Sequence, residues 1–170
     1  MATSLDYPLP VFRFRVEFYV STLNSPQQGD KKLLCQGAFA ECSGLEATME
    51  PKSIKVGGQN YGQVHRAGRV NFATVILRRG VSSNRDLWTW FNLVGEGAYA
   101  YRLDAEINLL DFERKNKPSV VMTWEMHNAL PTKFKTADFN AKGGTEVGIE
   151  ELHFVHEGLY HRIGRSGGGR

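Results

Sequence analysis

Apolar and polar residues alternate one for one over long stretches of this chain, and the first clear run is Val11 to Val20. Phe12, Phe14, Val16, Phe18 and Val20 fall on one face and Arg13, Arg15, Glu17 and Tyr19 on the other, the pattern of a half-buried strand. Further strands are expected over Leu33–Glu41 and over Leu45–Val56, the latter with a break at Pro51. A loop tip at Gly57, Gly58, Asn60 and Gly62 follows, and the chain returns through Val64–Arg69. Val70–Arg79 is apolar on both faces, which predicts a central strand covered on both sides.

Later in the chain, Leu103, Ala105, Ile107 and Leu109 alternate with Asp104, Glu106 and Asn108. Val120, Met122, Trp124 and Met126 alternate with Thr123, Glu125 and His127. The charged stretch Glu113–Pro118 between these two runs predicts a hairpin turn. A shorter strand is expected over Lys133–Phe139, and a last one over Glu146–Tyr160 after the Lys142–Thr145 loop. One helix interrupts the strands. Ser83 is its expected N-cap, Asp86 the third helical residue, Leu87, Phe91 and Val94 its apolar spacing, and Gly95 and Gly97 its end.

Seven or eight strands and one helix, without strand–helix alternation, predict a mainly β fold: an antiparallel β-sandwich or barrel with one α-helix. One domain is expected over residues 1–162, with a flexible Gly/Arg tail over 163–170, a polar loop over Ser21–Lys32 and no internal repeat. The run Leu103–Asp111 carries acids but no proline or lysine guard, so it is expected as an open edge that another copy would pair.

Composition narrows the function classes. Hydrophobic residues make up 41% and charged residues 23%, ordinary values for a soluble domain. The net charge of +3 is mild, and basic residues are interleaved with acids rather than clustered as in a nucleic-acid binder. No apolar run is long enough to span a membrane, and Met1-Ala2-Thr3-Ser4 begins no signal peptide, so synthesis in a cytoplasm is expected. Cys35 and Cys42 form no disulfide framework and are expected reduced and buried.

No catalytic constellation emerges. His153 and His156 lie on opposite faces of a strand, and read as solvent-facing or interface histidines rather than metal ligands. Arg78 and Arg79 point apart, as do Glu150 and Glu151, so neither pair makes a clamp; solvated or interface charges are expected. Gly57-Gly58 and Gly143-Gly144 lack the Lys-Ser or Lys-Thr of a phosphate loop. Trp88, Trp90 and Phe91 read as a core plug. No enzyme, cofactor or metal is expected.

Several stretches taken in order resemble the tail-tube proteins of contractile phages and extracellular contractile injection systems. Tyr7-Pro8-Leu9-Pro10 leads into the first strand. Phe39, Glu41, Ser43, Gly44 and Leu45 match the family's phenylalanine-x-glutamate-x-serine-glycine-leucine stretch, and Gly57, Gly58, Gly68 and Arg69 its glycine-rich loop and return. Leu77, Arg79, Gly80 and Val81 precede the helix bearing Leu87, Trp88 and Trp90, and Trp124, Asn128, Ala129, Pro131 and Lys133 follow later. Asn140, Ala141, Ile149, Glu150, Leu152, Glu157, Gly158 and Leu159 close the match.

The resemblance implies a structural subunit forming hexameric rings that stack into a hollow conduit. Implied partners are further copies of the chain, a sheath around the tube, spike, baseplate and terminator proteins at its ends, and cargo protein or DNA in the lumen. A phage-tail-like particle made in a bacterial cytoplasm, with release outside the cell as one route, is the implied location. The net charge of +3 favours a protein-delivering system. Glu50–Arg69 is the expected inter-ring arm, with Lys52, Lys55, Gly57, Gly58, His65, Arg66 and Arg69 as its contact residues and positive φ expected at the Gly57–Gly58 tip. Two alternatives stay open. The Ser21–Lys32 loop and basic tail suit a single-layer initiator or adaptor ring at spike and baseplate, and a monomeric ligand-binding β-barrel is the reading from another class.

Overall fold

The computed structural model describes residues 9–21, 33–37, 39–58, 60–112, 118–139 and 147–163. The expected loop after Ser21, the turn from Glu113, the Lys142–Thr145 loop, Asn140, Ala141 and the tail from Gly164 lie outside the described residues, as does the Cys35 side chain.

Strand β1 is Phe14–Val20, with Val16 and Phe18 fully buried. It starts later than its alternation predicts, because its ladder to the neighbouring strand begins at Phe14; Val11 and Phe12 run past it and are exposed. The expected second strand is two, β2 Leu33–Gly37 and β3 Glu41–Ser43, with the intervening Ala40 N–H bonded to the Arg78 carbonyl at 2.8 Å. The chain then leaves the body as β4 Ala47–Met49 and β5 Lys52–Ile54, broken as expected at Pro51, which has no N–H to donate. It returns as β6 Val64–Arg66, β7 Val70–Phe72 and β8 Val75–Gly80. The expected doubly covered strand over Val70–Arg79 is therefore corrected. β7 pairs β4 away from the body, and in β8 only Val75, Leu77 and Arg79 point inward.

Helix α1 is Asp86–Gly95, followed by β9 Leu103–Phe112, β10 Pro118–Lys135, β11 Ile149–Val155 and β12 Gly158–Ile163. Ser83 does not cap the helix. Asn84 Oδ1 accepts the Asp86 N–H at 2.8 Å, so Asp86 opens the helix instead of standing third. Leu87, Trp90 and Val94 form its buried stripe, and the N–H of Gly97, at φ 125°, bonds the Val94 carbonyl. The separate strand expected after Pro131 is absent because β10 runs on to Lys135, with Pro131 beside a register shift where a missing donor is tolerated. The single last strand expected over Glu146–Tyr160 turns at His156–Glu157 into two.

All ladders are antiparallel, and β10 belongs to both layers. Its first part pairs β9 and β12, giving a sheet ordered β2-β1-β9-β10-β12; its last part pairs β11, giving β10-β11-β8-β3. Strand β9 lies between β1 and β10, so it is not the open edge its sequence suggested. Among the described residues the first sheet ends at β2 and β12, each paired on one side.

The core lies between the sheets. Phe18 from β1 meets Phe154 from β11 edge-on at 5.8 Å, and Trp90 from α1 closes on both, at 5.3 and 6.4 Å. Trp90 is thus the expected plug, whereas Trp88 is 47% exposed, stacks on Phe91 and meets Phe134 at a tilt along the outside of the helix. Truncating Trp90 to alanine removes the side chain that touches both sheets. It should cost about 3–5 kcal/mol in urea unfolding, and Trp88→Ala markedly less.

Candidate functional site

The segment between Ala47 and Phe72 is a narrow arm of two successive ribbons. In the inner one Ala47 pairs Phe72 and Met49 pairs Val70; in the outer one Lys52 pairs Arg66 and Ile54 pairs Val64. Every residue of β4, β5 and β6 is exposed. The ribbons meet at a kink that only glycine permits, since a Cβ on Gly68 would fall on the Glu50 carbonyl oxygen. At the tip Gly58 has φ 83° while Gly57 does not, so the expectation of positive φ holds for one of the two.

The arm's charges are concentrated at the kink. Lys52 and Arg66 stand opposite each other on one face, an unfavourable cross-strand pairing, beside Arg69. With Glu50, Gly68 and Asn71 they line a recess of about 590 Å³. His65 is on the other face, its Nδ1 3.4 Å from Ser53 Oγ. Lys55 follows β5 near the tip, flanked by exposed Ile54, Val56 and Val64.

The root joins the arm to the point where the sheets diverge. Gly44, φ 85°, crosses the chain so closely that a Cβ would collide with the Thr74 carbonyl. Phe72 packs its ring on the His156 imidazole at 4.9 Å. His156, expected at solvent or at an interface, lies inside the chain's own fold. It is buried, and neither ring nitrogen finds a hydrogen-bond partner among the described residues. Burial holds its pKa below the ordinary imidazole value, against a weaker opposing pull from the Gly158 backbone. Beside it Glu157 accepts from Asn128 Nδ2 at 2.8 Å, and Asp104 faces His127 Nδ1 at 3.5 Å.

The adjacent charges on β8 and β11 separate as alternation requires, but not into two solvated faces. Arg79 and Glu150 both point inward and form a buried ion pair; Arg79 Nη2 also donates to the Asn84 carbonyl at 3.1 Å, and the guanidinium lies 5.7 Å from the Phe39 ring. Outward, Glu41, Arg78, Glu151 and Lys135 stand in one cross-strand row of alternating sign. Arg78 donates to Glu41 at 2.9 Å and to Glu151 at 2.8 Å, while His153 and Lys133 also reach Glu151. The Arg78 guanidinium, with His153, holds the Glu151 carboxyl down at about 2.

The first sheet presents a different face. Glu17, Glu106 and Glu125 fall in register across β1, β9 and β10. Asn108 and Tyr19 donate to Glu17 at 2.9 and 3.1 Å, Arg15 lies 3.2 Å from it, and Arg162 reaches Glu125 at 3.0 Å. Burial, helped by Glu106 and Glu17, pushes the Tyr19 phenol up to about 12.

The motif residues singled out in the sequence are mostly scaffold. Phe39 is buried under Arg79, Ser43 ends β3, Leu45 packs on the core, Gly80 ends β8, and Trp124 stacks on His161 at 5.4 Å. Glu41 is the exception, lying on the outer charged row. Cys42 is a half-buried free thiol whose pKa burial and Glu41 push up to about 12. Among the described residues no group of three or more His, Cys, Asp or Glu could hold a metal ion. Among the described residues no helix is long and apolar enough to cross a membrane.

A family model described as T4-like virus tail tube protein gp19 matches residues 10–160. A chain from the six-fold-symmetrised cryo-EM structure of the anti-feeding prophage baseplate superposes with TM-score 0.74 at 26% identity, covering 94% of this chain and 98% of that one. A chain of the PVC sheath–tube complex, an extracellular contractile injection system in its extended state, gives 0.72 at 23% identity, with 95% and 99% covered. One from the tube-terminating cap of the anti-feeding prophage gives 0.71 at 21%, with 96% of each. No curated protein matches.

Two measurements test this geometry. Glu150→Ala leaves Arg79 charged and buried, so it should cost about 3–5 kcal/mol in denaturant unfolding, well above Glu151→Ala at the half-exposed row. Below about pH 6.5 the unfolded chain takes up a proton that native His156 resists, so stability should fall with pH from there. His156→Phe should flatten that slope. The stability that Glu151 contributes is present above about pH 4.5 and is lost separately as pH falls toward 2.

Proposed function

The chain belongs to the T4-like virus tail tube protein family, and from that premise we propose that it is the repeating subunit of the inner tube of a contractile injection system. In this reading it has no catalytic role. Copies join edge to edge into six-membered rings, the rings stack, and the tube meets a sheath outside and spike, baseplate and terminator proteins at its ends. Cargo, protein in preference to DNA, passes along the lumen.

The observation that carries this reading is the first sheet itself. Its two outer strands, β2 and β12, each pair on one side among the described residues, and its face is polar and largely self-bonded. Pairing β2 of one copy with β12 of the next would extend one sheet around a ring and leave no edge open. The polar face between them then forms the wall of the conduit. The arm, exposed throughout and marginal as an isolated ribbon, is the contact between rings. Lys52, Lys55, Gly57, Gly58, His65, Arg66 and Arg69 are its proposed contact residues.

A single-layer initiator ring is the second reading, favoured by the 26% identity to a baseplate chain. Negative-stain microscopy of the purified protein over a range of concentrations separates the two. Hollow stacks of six-membered rings are expected; rings that never stack would assign the chain to the initiator. A strict monomer with a ligand cavity would overturn both in favour of a binding barrel. Gly68→Val, which closes the kink onto Glu50, should yield rings without stacks from a chain that melts normally.

A further inference from the structure

Of the residues in the four strands of the arm, every one is exposed except Phe72, half-buried at the end of β7. Its ring lies on the His156 imidazole, with centroids 4.9 Å apart and planes inclined at 39°. The backbone tie beside it is slight: the Ala73 N–H bonds the Glu46 carbonyl at 3.1 Å. The side chain that anchors the arm to the body therefore sits on a titratable group. That group is 7% exposed, and neither ring nitrogen has a hydrogen-bond partner among the described residues. A neutral imidazole carries one donor and one acceptor, and leaving both dry already costs the fold. A charge at the same place would cost far more.

Nothing around the ring would compensate that charge. The inner ribbon, Ala47–Met49 with Val70–Phe72, contains no titratable residue. On the body side Glu157 accepts from Asn128, Asp104 of β9 faces His127 of β10, and Tyr160 of β12 meets His127 edge-on. The forces on the imidazole are burial and, weaker and opposite, the Gly158 backbone, with no carboxylate among them.

We propose that His156 and Phe72 form a pH-sensitive latch: protonation of His156 lifts Phe72 off the body and frees the arm at its root, while the two-sheet core stays folded. A proton can be held there only if the ring reaches water. On the inward side stand Leu152 and Phe154, at most 1% exposed, whereas the arm is the loosest cover the ring has. Undocking Phe72 is thus the least costly way to wet the imidazole. The sign follows from linkage. The open form takes its proton near the ordinary imidazole value of about 6.5, the docked form only at lower pH. The docked arm is fully favoured above about pH 6.5 and loses ground below it. One pH unit lower, protonation multiplies the open population by up to about tenfold, and raising the pH closes the latch again.

The test is hydroxyl-radical footprinting of the full, unassembled chain at about pH 7.5 and about pH 5.5. Labelling of Phe72 and His156 should rise about fivefold to tenfold at the lower pH, while Phe18 and Phe154 stay protected. The rise should track the titration of the His156 ring followed by NMR in the wild type, a readout that needs no variant. His156→Phe should keep Phe72 protected at both pH values, and His127→Gln should open as the wild type does. Unchanged Phe72 labelling in the wild type at the lower pH would overturn the latch. So would opening that persists in His156→Phe, or labelling of Phe18 and Phe154 that rises in step with Phe72, the mark of global acid unfolding. The bearing on assembly rests on the arm reading above: wild-type tubes should shorten reversibly at the lower pH and His156→Phe tubes should not. Tubes indifferent to pH, from a chain whose arm opens as described, would count against the arm as the inter-ring contact and leave the latch standing.

Discussion

One residue position lets a single strand serve two sheets. Asn128 adopts φ 54° in β10, where the ladder to β9 slips and the strand crosses from the first sheet into the second. Its left-handed backbone is held on several sides. The Asn128 N–H bonds Asp104 at 3.0 Å, Oδ1 accepts from Ser21 at 3.0 Å, and Nδ2 donates to Glu157. Asparagine is among the few residues that tolerate this conformation, and a bulge at such a point re-aims everything after it. β11, β8 and hence the arm root all take their positions from that turn.

The aromatic core follows from the same divergence. Because β10 splits, the wedge between the sheets is wide enough for Phe18, Phe154 and Trp90 to meet, and α1 fills it with its buried stripe. The polar faces then divide. The second sheet's outer row alternates in sign and neutralises itself, as cross-strand pairing favours. The first sheet sets three glutamates in register; Arg15, Tyr19 and Asn108 reach Glu17, and Arg162 reaches Glu125. Glu17, Asn108 and Glu125 are nevertheless buried, so these charges are met by neighbouring side chains more than by water.

Much of this was legible in the residues. Period-2 alternation located β1, β9 and the start of β10, and the apolar spacing of Leu87 and Val94 located the helix, because each element buries one face and exposes the other. Strand ends were less legible. Val70–Arg79 reads as one strand, yet it is cut at Thr74 by the close crossing of Gly44, a tertiary contact with no local pattern. Arg79 and Glu150 were read as surface charges, although each alternates in phase with buried neighbours: Val75 and Leu77 for one, Leu152 and Phe154 for the other. Two opposite charges at inward positions were the available signal of a buried pair. His156 continues the same alternation, in phase with buried Leu152 and Phe154, so its burial too had a local signal, although its cover, Phe72, lies far away in sequence.

The thinness of the arm has a kinetic consequence. A two-stranded ribbon with almost no body contacts gains little by holding its shape alone, so most of its ordering entropy must be offset when it meets a partner surface. In the proposed stack each added ring would order one more set of arms, so every step carries the same entropy cost as the first, and arm ordering by itself gives growth no lag.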